Sequence, residues 1–283
     1  MKVLLVPNYS RENAKDAAVH LAHWLEREGI EVRWVPDKKL FSDAPIEVDD
    51  VDLVVSLGGD GTLLRAAGIV GYREIPMLGL SYGHLGFLTS GGPDNLLATV
   101  SSALAGEMHV SHRATLDVEA HFAASDGSEV IEHHFALNDL YLTHGVCGDM
   151  IEFDVSVSGN HIDRLRGDGF VVSTATGSTG YALAAGGPIV TPQFNGMICV
   201  PVAPHSIRAR AFLTAPSDVV EIAISPERNV ERLFFADGQP LGGGMVGERV
   251  TIRRGPGDII LLDRSSTSFY QSVSRVFYGD QRR

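Results

Sequence analysis

The chain has 283 residues, of which 44% are hydrophobic and 20% are charged, a composition typical of a globular protein with enough length for two domains. Its formal net charge of -12 argues against a surface that binds nucleic acid or anionic membranes. The only two cysteines, Cys147 and Cys199, provide neither a disulfide framework nor a metal-binding spacing and indicate a reducing compartment.

The first third of the chain alternates strand and helix signals. Apolar runs predict strands at 2–6, 31–35, 51–57 and 76–80, and helical periodicity predicts helices at 11–28, 62–70 and 94–104. We expect Ser10 to cap the first helix, Gly29 to end it, and Asp94 to start the third. Nearly continuous apolar strands separated by helices predict a doubly wound parallel sheet, an α/β domain.

The apolar runs are all short. The first one stops at Pro7, which is too short for the apolar region of a signal peptide. No run approaches the roughly 18 apolar residues of a membrane-spanning helix. We therefore expect a cytoplasmic protein.

The pattern changes near residue 110. "ATLDVEAHFA" and "VIEHHFALNDLYLTH" alternate with period two around "ASDGSE", which predicts a β-hairpin. Further strand signals continue to "DIILLD" (258–263), interrupted by one helix-like segment at 177–187. The sequence predicts an α/β domain over 1–109 and a β-rich domain over 110–263.

The stretch "SLGGDGTLLRAAG" (56–68) places one acid, Asp60, among Gly58, Gly59 and Gly61. Ligands bind at the carboxyl edge of a doubly wound sheet, where this loop is expected, and glycines let backbone N–H groups approach phosphate closely. Asp60 beside such a loop fits a base that takes a proton from a substrate hydroxyl. A tight turn in which Asp60 only caps the next helix is an equally good interpretation of this motif alone.

A second glycine-containing segment is "RGDGFVVSTATGSTGYALAAGGPIVTP" (166–192). Its hydroxyl side chains can bind a ligand at the start of the Ala-rich helix, or they can simply cap that helix. Arg166 and Asp168 precede them closely and fit either a ligand pocket or a surface ion pair.

The two motifs occur in order with "GHLGFLT" (83–89), "LNDLYL" (137–142), "PVAPHSIRAR" (201–210) and "DGQ" (237–239). Together they closely resemble the NAD kinase family, over almost the whole chain. The resemblance implies transfer of a phosphoryl group from ATP to the adenosine ribose 2′-hydroxyl of NAD. It also implies a homodimer or homotetramer, a C-terminal tail (about 264–283) packed on the first domain, and a divalent metal such as Mg²⁺ that arrives with the nucleotide.

The resemblance also implies roles for individual residues. Asp60 matches the general base and contacts NAD. The phosphate-binding positions are Gly58, Gly59, Gly61 and Thr62. The remaining NAD-binding positions are Gly61, Arg65, Asn138, Asp139, Arg166, Asp168, Thr176, Thr179, Gly180, Tyr181, Ala184 and Gln239. Asp139 stands where the family has Glu, and Gly180 where Ala is more usual, which leaves more room at that helix start.

Two other functions stay open at this point. A lipid or small-alcohol kinase of the same superfamily would share GGDGT but not the second motif, and a non-catalytic NAD(P)-binding sensor would have no need of Asp60. Inorganic polyphosphate is an alternative donor to ATP. We expect the histidines to be structural, since His133, His134 and His144 lack the spacing of zinc ligands and His205 lies beside a strand.

Overall fold

The computed structural model describes residues 1–37, 46–83, 86–89, 91–145, 150–225, 231–264 and 269–279. The chain forms two compact units, one of Met1–His112 with Ile259–Arg283 and one of Arg113–Asp258. Cys147 lies outside the described residues, while Cys199 is a buried free thiol. Within the described ranges, none of the helices combines the length and apolar character that a membrane span needs.

The first unit is built on a six-stranded sheet, with strands numbered along the whole chain. They are β1 (Lys2–Pro7), β2 (Glu31–Trp34), β3 (Leu53–Gly58), β4 (Pro76–Ser81), β5 (His109–Arg113) and β18 (Ile259–Asp263). Their order is β2-β1-β3-β4-β18-β5, and the pairs from β2 to β18 are parallel. The predicted parallel α/β sheet is confirmed.

Three helices cover this sheet: α1 (Glu12–Arg27), α2 (Asp60–Val70) and α3 (Leu96–Leu104). Leu21 of α1 and Val100 of α3 share one core cluster with Leu5 and Val55 of the sheet. Side chains that alternate with these along the strands, such as Leu4, are also fully buried, and α2 packs on β1, β3 and β4. Both faces of the sheet are therefore covered, as its apolar strands require.

The second unit contains two six-stranded antiparallel sheets. The first sheet consists of β6 (Leu116–Ala123), β7 (Glu129–Ala136), β9 (Ile151–Val157), β10 (Asn160–Gly167), β14 (Val219–Ile224) and β17 (Val246–Arg254). The second consists of β8 (Asp139–His144), β11 (Gly169–Ser173), β12 (Ile198–Val202), β13 (Phe212–Leu213), β15 (Arg232–Ala236) and β16 (Gln239–Pro240). Phe122 meets Phe234 and Phe153 meets Phe170 across the two sheets, with ring centroids 5.8 and 5.9 Å apart. The predicted hairpin is the β6–β7 pair.

Three predicted helix details are wrong. Arg11, not Ser10, stands at the start of α1, and no side chain caps that end. Asp94 lies in a 3-10 turn (Pro93–Asn95), and α3 begins only at Leu96. The segment 177–187 forms a 3-10 turn (Gly177–Thr179) and a single-turn helix, α4 (Tyr181–Ala184), because the backbone leaves helical geometry at Gly180.

The end of the chain differs from the predicted domain boundary at 263/264. "DIILLD" forms β18, which pairs in parallel with β4 and so adds a strand to the first sheet rather than to the β-rich unit. Beyond it lie α5 (Phe269–Val273) and a π-helical turn (Ser274–Tyr278). The ring of Phe277 stacks on Phe87 of the same unit, with centroids 5.6 Å apart.

Candidate active site

The glycine-rich turn is tighter than the sequence predicts. Gly58 is the last residue of β3, Gly59 is the only residue between strand and helix, and Asp60 is already the first residue of α2. Asp60 therefore lies inside the helix and does not act as its N-cap, which is Gly59. This arrangement brings Asp60 to the carboxyl end of β3, at the edge of the sheet where doubly wound folds bind ligands.

Two backbone amides hold the side chain of Asp60. The N–H of Phe87 donates to Oδ2 at 2.9 Å, and the N–H of Leu88 donates to Oδ1 at 3.3 Å. A Cβ on Gly86 would overlap both carboxylate oxygens, so only glycine allows this approach. The GGDG and GFL motifs are thus parts of one structure, and they fix the direction of the carboxylate.

A cavity of about 540 Å³ opens in front of Asp60. It is lined by residues 7–11, by Asp37, and by Gly59, Gly61, Thr62 and Arg65 of the predicted set. A Cβ at Gly59 or Gly61 would meet nothing within 4 Å, so packing does not explain either glycine. Their bare backbone leaves the N-terminus of α2 open to an anion.

Two arginines border this cavity. Arg65 donates from Nη2 to the carbonyl of Pro36 at 2.6 Å, and its buried Nε has no hydrogen-bond partner. Arg11 donates from Nη1 to the carbonyl of Tyr82 at 2.8 Å. Sequence analysis missed Arg11, although its place between β1, the neighbour of β3, and α1 was a usable signal. A larger cavity of about 690 Å³ beside α1 and α3 contains none of the predicted residues.

In the second unit, Asn138 and Asp139 stand at the start of β8. Asp139 is buried, with 4% of its surface exposed. Burial, and then the nearby Asp237, raise the pKa of Asp139 to about 7. Burial also raises the pKa of Asp237, against the opposing effect of three backbone N–H bonds that its carboxylate accepts. Strongly shifted acids of this kind are common at ligand sites.

The segment 176–181 lies against this pair. Gly177 packs on the backbone carbonyl of Asn138, and a Cβ on Gly180 would lie 3.9 Å from Asn138 Nδ2 and 4.0 Å from Asp139 Oδ2. The buried Oδ1 of Asn138 and Oγ1 of Thr176 have no hydrogen-bond partner. Unsatisfied buried polar atoms of this kind fit a site that a polar ligand completes.

Tyr181 presents an aromatic surface at the same place. Its ring is 40% exposed and lies 4.8 Å from that of Tyr141, which stacks in turn on Phe235. Burial raises the pKa of Tyr181, and the charges of Asp139 and Asp168 add to this effect. The second unit therefore combines the carboxylates of Asp139 and Asp237 with the exposed ring of Tyr181.

The other predicted NAD-binding positions make fewer contacts with Asn138 and Asp139. Arg166 and Gln239 are exposed, and neither side chain makes a hydrogen bond or ion pair within the described ranges. Thr179 donates to the carbonyl of Thr176 at 3.4 Å, and Ala184 is exposed in α4. Asp237, which the sequence analysis passed over in favour of Gln239, makes the closest contacts with the Asn138–Asp139 segment.

Those histidines that lie in the described ranges show no metal-binding arrangement. His134 Nε2 lies 2.8 Å from Glu132, and His144 Nδ1 donates to the carbonyl of Gly145 at 2.6 Å. His205 donates its backbone N–H to the carbonyl of Arg166. The described parts of the chain contain no group of three or more His, Cys, Asp or Glu side chains placed to hold a metal ion.

Comparison with known proteins covers both units. Residues 3–108 match the family model of the ATP-NAD kinase N-terminal domain, and residues 137–262 match that of the ATP-NAD kinase C-terminal domain. The NAD kinase of Aromatoleum aromaticum is 34% identical over 278 residues, which cover 95% of this chain and 90% of that protein.

Two solved structures share the architecture. An NAD kinase from Archaeoglobus fulgidus in complex with ATP has a TM-score of 0.72 and 27% identity, covering 93% of this chain and 94% of that one. Yeast NADH kinase complexed with NADH has a TM-score of 0.85 at 23% identity, covering 100% of this chain and 88% of that one, and shows the shared fold. With both domain models matched and a relative above 30% identity over nearly its full length, the chain belongs to the NAD kinase family.

Proposed function

We propose that this protein transfers the γ-phosphoryl group of ATP to the 2′-hydroxyl of the adenosine ribose of NAD, forming NADP and ADP. The observation that carries this proposal is the carboxylate of Asp60, which two backbone amides orient at the rim of an open cavity beside a helix N-terminus. A pure binding site for phosphate gains nothing from a negative charge at that point, whereas a phosphoryl transfer to an alcohol needs an acceptor for the hydroxyl proton there.

Asp60 acts as the general base. Each of its oxygens accepts one amide hydrogen bond, and a carboxylate oxygen has a further lone pair with which to accept the substrate hydroxyl. The ribose oxygen then forms a bond to the γ-phosphorus while the bond from that phosphorus to the β,γ-bridging oxygen breaks. The proton passes to Asp60, and ADP leaves with the bridging oxygen.

The cavity in front of Asp60 binds the phosphates of the donor. Gly58 at the end of β3 and Gly59, Gly61 and Thr62 around the start of α2 form this phosphate-binding turn, in which the backbone of Gly59 and Gly61 lies open beside the positive end of the helix. Arg65 and Arg11 border the same cavity and add positive charge. The ATP complex of the Archaeoglobus fulgidus relative, at 27% identity, supports ATP as the donor here.

The second unit binds NAD. Asn138 and Asp139 form hydrogen bonds with the adenosine. The exposed ring of Tyr181 offers a face on which a planar base can stack. The unpaired Oγ1 of Thr176 gains a partner when the ligand is bound. The side chains that complete the set are the exposed Arg166, Ala184 and Gln239 and the half-buried Asp168 and Thr179, with Gly180 leaving room beside Asp139.

A divalent metal, Mg²⁺ in the simplest case, enters with ATP. The chemistry of the donor fits this route, since Mg²⁺ prefers phosphate oxygens and water completed by one or two carboxylates. Asp60 and Asp37 are carboxylates that line the cavity. When bound, the metal neutralises charge on the phosphates.

The family resemblance further supports a homodimer or homotetramer working in the cytoplasm. Light scattering coupled to size-exclusion chromatography measures the oligomeric state directly. Inorganic polyphosphate in place of ATP is tested in the same assay as the main reaction.

The test is a coupled assay of the purified protein with NAD, Mg²⁺ and either ATP or polyphosphate, in which an NADP-specific dehydrogenase detects the product. We expect NADP from the wild type and a kcat roughly 10²-fold lower or more in Asp60→Asn, the scale of a lost general base, with NAD still bound. Asp52→Asn is the matched control, because Asp52 is exposed and its carboxylate accepts the backbone N–H of Lys2. Near-normal kcat in Asp60→Asn would rule out Asp60 as the general base. NAD binding without turnover in the wild type would instead favour a non-catalytic NAD-binding sensor.

A further inference from the structure

Asp237 lies in a turn that does not itself require an acid. Asp237 and Gly238 join β15 to β16, and both have positive φ values, 47° and 75°. A two-residue hairpin turn with two left-handed residues is favoured by Asn-Gly and Gly-Gly as well as by Asp-Gly. The turn alone would therefore be served equally well by a neutral residue at position 237.

The carboxylate of Asp237 binds three consecutive backbone amides. Oδ2 accepts the N–H of Leu137 at 2.8 Å, and Oδ1 accepts those of Asn138 at 2.7 Å and Asp139 at 3.2 Å. The N–H of Asp237 donates in turn to the carbonyl of Asp139 at 2.9 Å. Both carboxylate oxygens are needed, because an amide side chain has only one acceptor oxygen.

The carbonyl side of the same segment is also fixed. Thr174 donates from Oγ1 to the carbonyl of Leu137 at 2.6 Å and from its N–H to the carbonyl of Asn138 at 2.8 Å. Asp237 supplies the matching restraint on the amide side. It does so at an electrostatic cost, because it stands close enough to Asp139 for the two charges to repel. A negative charge kept next to a buried acid needs a reason beyond the turn.

We propose that Asp237 is a positioning residue for NAD, which fixes the backbone of residues 137–139 so that the side chains of Asn138 and Asp139 meet the adenosine in one orientation. This inference rests on the proposed function of that pair. Asp237 needs no contact with the substrate to act in this way. Its removal loosens the bound nucleotide and leaves the chemistry at Asp60 intact.

The test uses two variants that keep the hairpin turn, Asp237→Asn and Asp237→Gly, because both residues accept a positive φ. We expect both to fold, to raise KM for NAD roughly ten-fold or more, and to change kcat by less than about three-fold, the pattern of lost substrate binding. KM for ATP should not change. The dissociation constant for NAD, measured by calorimetry without ATP, should rise by the same factor as KM.

Asp126→Asn is the matched control. Asp126 also lies in a hairpin turn, and its carboxylate accepts the N–H and hydroxyl of Ser128, away from the NAD-binding residues. An unchanged KM and dissociation constant for NAD in folded Asp237 variants would overturn the proposal. Loss of the fold in both variants would overturn it as well, because Asp237 would then serve the fold rather than the substrate. Absence of NADP formation by the wild type would contradict the proposed function instead, and calorimetry would still test Asp237.

Discussion

Replacing Asp139 by Asn should stabilise the free protein while weakening its binding of NAD. Asp139 is buried against Asp237, and burial raises its pKa from 3.8 to about 7. The unfolded chain releases the proton near pH 4, whereas the folded chain holds it until about pH 7. Between these values the folded state binds more protons, so the free energy of unfolding falls as the pH rises and levels off above about pH 7.

The magnitude follows from the size of the shift. About three pKa units at 1.36 kcal/mol each amount to about 4 kcal/mol, an upper bound because residual water and relaxation of the site reduce it. Asn has nearly the same shape and no charge. At pH 8 we therefore expect the free energy of unfolding of Asp139→Asn to exceed that of the wild type by up to about 4 kcal/mol. At pH 4 the two free energies of unfolding should be equal.

Urea unfolding at several pH values between 4 and 8 measures this difference. Asp154→Asn is a control of opposite sign, because Arg164 lowers the pKa of the half-buried Asp154, so its loss should slightly destabilise the protein at neutral pH. NAD binding is followed in the same samples, and Asp139→Asn should bind NAD more weakly. Parallel stability profiles for the wild type and Asp139→Asn would refute the buried-charge argument.

Two glycines near Asp60 give contrasting predictions. Gly86→Ala places a Cβ on the Asp60 carboxylate and should lower kcat roughly 10²-fold, as loss of the base does. Gly91→Ala is the control and should keep normal turnover, because the nearest atom to its new Cβ is 3.9 Å away. Equal effects in the two variants would contradict this steric reasoning. Gly61→Val adds atoms where the fold has open space, so we expect kcat/KM for ATP to fall roughly ten-fold or more with little change in Tm, and a collapse of Tm would instead assign Gly61 to the fold.

Local sequence patterns predicted most of the fold because strand and helix periods are visible in short windows. They placed "DIILLD" in the wrong sheet, since a strand's period says nothing about which partner it will find. The parallel pairing of β18 with β4 joins residues 184 positions apart, such as Ile260 and Pro76, and no local pattern encodes this pairing.

The site was predicted to a different extent in its two parts. Family motifs led directly to Asp60 and to the Asn138–Asp139 pair. They did not reveal what holds these residues, because backbone amides such as those of Phe87 and Leu88 leave no side-chain signature. Asp237 was missed for a related reason, since Asp-Gly is an ordinary hairpin turn and its three amide contacts appear only in the folded chain.

The structure gives a physical reason for an acid in a glycine-rich turn. Gly59 and Gly61 leave the N-terminus of α2 uncovered for phosphate, while a third glycine, Gly86, lets the Asp60 carboxylate reach the amides of residues 87 and 88. Without those amides the carboxylate would be free to turn toward the N-terminus of its own helix, whose charge attracts it. Under the proposed function, the opposed demands of holding an anion and keeping a base beside it are met by fixing the base with amides from a second loop, which leaves the N-terminus of α2 for the phosphate.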